Sequence, residues 1–168
     1  MFMLLIFDGI GYRSGEEGNA LNAANMPTFR FVTNKYPHCL LNASGRSVGL
    51  PDGFMGNSQV GHLALGSGRV IETPLCRFHD SIDDGSFFDN KMLISKFEKL
   101  KKENKTLHVI GLLSDAGVHS HEKHLYAILG MARDVGLDKV FVHPFLDGRD
   151  TLPKSAESHL EKLDKFCT

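Results

Sequence analysis

The order of apolar runs in the second half of this chain constrains its fold more than any other feature. Leu107–Leu113 is a short apolar run. Ser120–Val135 sets Leu125, Ile128, Leu129 and Ala132 at helical spacing, with Gly136 where a helix commonly ends. Val140–Leu146 is a second apolar run, and Ser155–Phe166 brings Leu160, Leu163 and Phe166 to one helical face. Strand, helix, strand, helix in this order predicts a βαβα unit, which requires a parallel sheet and a right-handed crossover. The fold class is therefore α/β. Before this unit, Asn90–Glu103 reads as a helix with Leu93, Phe97 and Leu100 inward and Lys and Glu around them.

A parallel sheet delivers the loops after its strands to one edge, where ligands collect in α/β folds. Here those loops are Ser114–His121 and Asp147–Thr151. His119 and Arg149 would thus be able to face one anionic ligand. A guanidinium offers a planar fork of donors for phosphate or carboxylate, and Asp150 would fix it or accept from a substrate hydroxyl. A surface ion pair in a turn is the plain alternative for Arg149 and Asp150. His119, His121 and His124 form H-x-H-x-x-H, a weak metal signal without a nearby Cys or matched acid.

The first half is organised around Met55–Gly66, MGNSQVGHLALG. Gly56 and Asn57 deliver Ser58 to the start of a short helix, where orphan N–H groups and the helix dipole favour an anion. Ser58 is either a helix cap or a hydroxyl that takes and gives a phosphoryl group. His62, four residues on, is assigned a packing role, because a cap serine points back at its helix. Phe2–Phe7 reads as a strand buried on both faces, ending in Asp8-Gly9-Ile10-Gly11. Asp8 is then a turn residue or a ligand at a sheet edge. Asn19–Asn25 and Thr28–Lys35 read as helical, with Pro27 in the first turn of the second. His38–Asn42 reads as a short strand, Ser44–Phe54 as a loop, and Val70–Arg77, with Pro74 inside it, as a linker.

Composition narrows the classes. A formal net charge of -1 over 168 residues gives no general attraction to nucleic acid or membrane. The Lys99–Lys105 cluster reads as a solvated helix end. Cys39, Cys76 and Cys167 are widely spaced, which favours a reducing, cytoplasmic compartment over a disulfide framework. The apolar start, Met1–Phe7, is too short for a leader or a membrane span.

Several ordered segments carry a resemblance. They are LLIFDGIGY (Leu4–Tyr12), EGNA (Glu17–Ala20), YPH (Tyr36–His38), ASGRSVGLPDG (Ala43–Gly53), MGNSQVGHL (Met55–Leu63), GSGRV (Gly66–Val70), LLSDAGVHSH (Leu112–His121) and FLDGRDTLPKS (Phe145–Ser155). With these the chain resembles the cofactor-independent (2,3-bisphosphoglycerate-independent) phosphoglycerate mutases of the alkaline phosphatase superfamily. The resemblance implies that Ser58 is the nucleophile that becomes phosphoserine. It implies that Asp8 and Ser58 ligate one of two divalent metals, typically manganese, and that no 2,3-bisphosphoglycerate is needed. His119, Arg149 and Asp150 are implied to bind phosphoglycerate during interconversion of its 3- and 2-phospho forms. Gln59 stands where the family usually has Glu, and Ala116 where it usually has Gly.

Members of that family are several times longer. The resemblance therefore implies an amino-terminal portion: residues 1–73 as the opening of the phosphatase-like metal domain, and residues 74–168 as the first part of the inserted transferase domain. The remaining metal ligands would come from a further segment or a complementing chain. The alternatives at this level are another phosphatase or phosphomutase of the superfamily, and an inactive truncated product or phosphate-binding module.

Overall fold

The structure, a computed structural model, describes Phe2–Thr168. Met1, the first residue of the apolar start, lies outside the described residues. The chain forms two compact units, Met1–Thr73 and Pro74–Thr168, each taken here by itself.

The second unit is built on two parallel strands, β1 (Leu107–Leu113) and β2 (Val140–Leu146), paired in register from Leu107 opposite Val140 to Leu113 opposite Leu146. Numbering the helices along the whole chain, α6 (Glu122–Val135) connects the strands and α7 (Ala156–Cys167) follows them. This is the βαβα order that the apolar runs dictate. Asn90 starts α5 (Lys91–Lys102) by accepting from the N–H groups of Met92 and Leu93. Two apolar clusters fill the covered face of the sheet. Phe97, Met131, Ala132 and Leu137 form one, with Leu93, Leu100, Leu107 and Ile128 against it. Leu113, Leu129 and Leu163 form the other, with Val109, Leu125 and Val142.

Two expectations fail here, and one face of the sheet stays uncovered. Val70–Arg77 is not a linker throughout, because α4 (Pro74–Asp83) begins inside it. Pro74 is the first helical residue, where its missing N–H has no intrahelical acceptor to lose. On α7, Leu160 and Phe166 stay 40% and 43% exposed, while His159 and Leu163 are the buried residues. The second face of the sheet is open: Ile110, Phe141 and Phe145 are all exposed, so the strands are covered on one side only.

The first unit contains no strand among the described residues. Phe2–Phe7 and His38–Asn42 therefore do not form the expected strands. Their apolar side chains are exposed, Leu41 at 79% among them. A strand is stable only when its N–H and C=O groups find a neighbour, whatever its side chains prefer. What does form is local. Asn19 caps the short α1 (Ala20–Ala23), Pro27 opens α2 (Pro27–Lys35), and α3 runs Ser58–Ser67. The buried cluster is small, Val48, Leu50 and Val60 with Phe54 beside it.

Candidate functional site

In the first unit, Asn57, not Ser58, is the N-cap of α3. Its side chain accepts from the N–H of Val60 at 3.1 Å. Ser58 is then the first helical residue, so its hydroxyl is not spent on capping. The approach depends on Gly56: a Cβ there would overlap the Ala43 carbonyl oxygen. The Ser58 hydroxyl donates to Asp8 Oδ2 at 2.6 Å, across 50 residues of chain. Asp8 sits in a turn with Gly9, whose φ of 81° suits glycine.

His62 corrects the packing assignment. It is exposed, and its Nδ1 lies 3.1 Å from Ser58 Oγ and 2.8 Å from the Ser58 carbonyl oxygen. A carbonyl oxygen only accepts, so the shorter contact puts the hydrogen on Nδ1. Nδ1 then presents a donor, not a lone pair, to the serine hydroxyl. In this tautomer His62 cannot draw the hydroxyl proton through Nδ1, whereas Asp8 already accepts it. The result is an oxygen held between a carboxylate and an N–H, at a helix start whose first N–H groups lack intrahelical acceptors.

In the second unit, the loops after β1 and β2 meet. Ser114, 1% exposed, donates to Asp147 Oδ2 at 2.7 Å and ties the two strand ends together. The other Asp147 oxygen accepts from the backbone N–H groups of Arg149 and Asp150, at 2.9 and 3.0 Å. These backbone bonds, with the Ser114 hydroxyl, hold the Asp147 carboxyl below the usual carboxylate range. Asp147 is thus the residue that shapes the second loop. The geometry brings His119, Arg149 and Asp150 together: His119 Nε2 is 3.6 Å and Arg149 Nε 3.7 Å from Asp150 oxygens. Arg149 remains 84% exposed, with most of its donors turned to solvent.

His121 and His124 do not make a metal pair on one helix face. His121 is the N-cap of α6, accepting from the Lys123 N–H, and His124 lies inside the helix. Both rings pack with His79 of α4, at centroid distances of 4.5 and 5.1 Å. Burial, then the neighbouring charges of His121, His124 and Lys123, lowers the His79 pKa to about 4. Burial lowers the His121 and His124 pKa as well, so all three rings are neutral at pH 7. None of the three cysteines forms a disulfide. No helix among the described residues is long and apolar enough to cross a membrane.

Comparison with known proteins defines the class. Residues 78–168 match the family described as "BPG-independent PGAM N-terminus". A 2,3-bisphosphoglycerate-independent phosphoglycerate mutase of Methanosarcina acetivorans is 49% identical over 165 residues, 98% of this chain and 32% of that protein. Proteins of the same name from Clostridium tetani and Staphylococcus saprophyticus are each 51% identical, over 98% and 96% of this chain and 32% of each relative. The chain belongs to the 2,3-bisphosphoglycerate-independent phosphoglycerate mutase family. It spans about a third of the length of these curated relatives, 32% in each case.

Proposed function

We propose that this chain is the amino-terminal, nucleophile-bearing part of a mutase that interconverts 3- and 2-phosphoglycerate through a phosphoserine at Ser58. The observation that carries the reading is the Ser58–Asp8 hydrogen bond of 2.6 Å at the start of α3. It joins two motifs remote in sequence around one reactive oxygen.

Ser58 Oγ attacks the phosphorus of the substrate. The P–O bond to one glycerate hydroxyl breaks as the P–Oγ bond forms, and the proton that leaves Ser58 Oγ toward Asp8 balances the one the freed glycerate oxygen takes up. The reverse transfer to the neighbouring hydroxyl completes the exchange. The His62 Nδ1–H donates toward Oγ and opposes the charge that builds there. His119 and Arg149 bind the anionic glycerate, with Asp150 orienting both. This is catalysis by positioning and charge neutralisation.

Asp8 and Ser58 supply hard oxygen donors, which fit a divalent ion such as manganese. Held by these two oxygens, such an ion would favour the alkoxide form of Ser58 and offset phosphoryl charge. Two oxygens fall short of the roughly four to six donors such an ion takes. The remaining ligands come from outside these residues, from the rest of the family's length or a complementing chain. Residues 1–73 then belong to the phosphatase-like domain and residues 74–168 to the transferase domain, in the cytoplasm.

The test is to incubate the chain with manganese and 3-phosphoglycerate, with and without a polypeptide covering the remainder of a family member. The expected result is 2-phosphoglycerate formation with the complement, phosphate on Ser58 by mass spectrometry, and loss of both in Ser58→Ala. Phosphorylation that persists in Ser58→Ala would overturn the assignment. Binding of phosphoglycerate with no phosphoserine under any condition would favour a phosphate-binding module.

A further inference from the structure

α7 carries a buried histidine that the proposed chemistry does not use. His159 is 4% exposed. Its Nδ1 lies 2.8 Å from Glu122 Oε2, and its Nε2 lies 3.6 Å from Asp115 Oδ1. Those two acids bracket the loop that carries His119. Asp115 is its first residue beyond Ser114, and the Glu122 N–H donates to the Ser114 carbonyl oxygen at 2.7 Å, closing the loop at its base. The imidazole therefore bonds one rim of a loop whose base is already fixed, and stands beside the other.

Packing alone does not account for a histidine here. Burial by itself would raise the Glu122 carboxyl, but hydrogen bonds from His159 and Lys162 outweigh it and hold the group below its ordinary range. Glu122 is therefore a carboxylate at neutral pH, and a carboxylate only accepts, so Nδ1 carries the hydrogen. Lys162 Nζ reaches the other Glu122 oxygen at 3.1 Å. An apolar side chain at position 159 would fill the same space and leave a largely buried carboxylate with one fewer donor. α7 also follows directly from the loop bearing Arg149 and Asp150. A single helix thus continues from one of these loops and clamps the other.

We infer that His159 is a positioning residue that, by holding Glu122 at the end of the loop, sets His119 against Asp150. The inference rests on the reading that His119, Arg149 and Asp150 bind phosphoglycerate. Its effect is on the pose of the ligand-binding histidine.

The experiment uses the chain with His159→Phe, which removes both nitrogens, and His159→Gln, which keeps a donor. Leu163→Ala serves as a packing control on the same helix. Ring signals of His119 are followed by nuclear magnetic resonance, alongside the affinity for 3-phosphoglycerate. His159→Phe is expected to shift the His119 ring signals and weaken 3-phosphoglycerate binding about tenfold, with β1 and β2 amides still protected. His159→Gln is expected to restore most of both, and Leu163→Ala to lower stability without moving the ring signals. Unchanged ring signals in His159→Phe, or equal shifts in Leu163→Ala, would overturn the inference. If the unsubstituted chain fails to bind 3-phosphoglycerate, the substrate reading falls, and the ring signals still decide the positioning role.

Discussion

The two units use opposite means to place a reactive group. In the second, the loops bearing His119 and Arg149 leave the ends of paired strands backed by two apolar clusters. In the first, Ser58 and Asp8 meet with no strand among the described residues and a cluster of three buried residues nearby. There, a cap at Asn57, a close approach at Gly56 and one hydrogen bond do the placing. The lesson is that constellation and core are separable: helix-start geometry orients a serine hydroxyl even where tertiary burial is thin.

Substitutions in the two units test this contrast directly. Leu113 is 2% exposed under the sheet. Leu113→Ala is expected to cost about 2–5 kcal/mol by chemical denaturation, with loss of cooperative unfolding of the second unit. A cost under about 0.5 kcal/mol would mean that the sheet is not the scaffold of that unit.

Acid is the next largest lever. His79 is held neutral by burial, with a pKa of about 4 against an ordinary 6.5. The unfolded chain therefore binds the proton more readily. The stability from neutral His79 is fully present above pH 6.5 and is lost as pH falls toward 4, about 3 kcal/mol in all. Thermal melts between pH 7 and pH 4 on the chain and on His79→Phe check this. The acid-side loss should be smaller in the variant.

In the first unit the effects are smaller. Asn57→Ala removes the α3 cap and is expected to cost about 1 kcal/mol, read as faster amide exchange over Val60 and Gly61. Leu41→Ala, at a side chain 79% exposed, should change stability by less than about 0.5 kcal/mol. A large loss at Leu41 would show that the first unit packs more tightly in solution than its exposure indicates.

The same contrast explains what the sequence made legible. β1 and β2 were readable to their end residues because each is an apolar run flanked by turn residues and separated by an amphipathic helix. Phe2–Phe7 has the same look, but a strand also needs a partner, and local composition carries no information about one. α4 was hidden by Pro74, a breaker inside a helix and an ordinary first residue at its start. Among the proposed site residues, the loop positions of His119, Arg149 and Asp150 followed from the parallel topology. Two histidines did not. The exposure of His62, and its contacts with both the hydroxyl and the carbonyl of Ser58, depend on rotamers that spacing leaves open. His159 was masked by Leu160 and Phe166, whose helical spacing pointed to the wrong face. The i, i+4 rule locates a stripe and does not say which edge of it goes under.

The contact of α7 with Glu122 also sets an order of events during synthesis. Glu122 leaves the ribosome 37 residues ahead of His159. The His119 loop must therefore exist for an interval with its base formed and its rims unheld. α6 and the pairing of β1 with β2 have time to settle before that contact forms. The nascent second unit should thus acquire its scaffold first and the fixed pose of the His119 loop last.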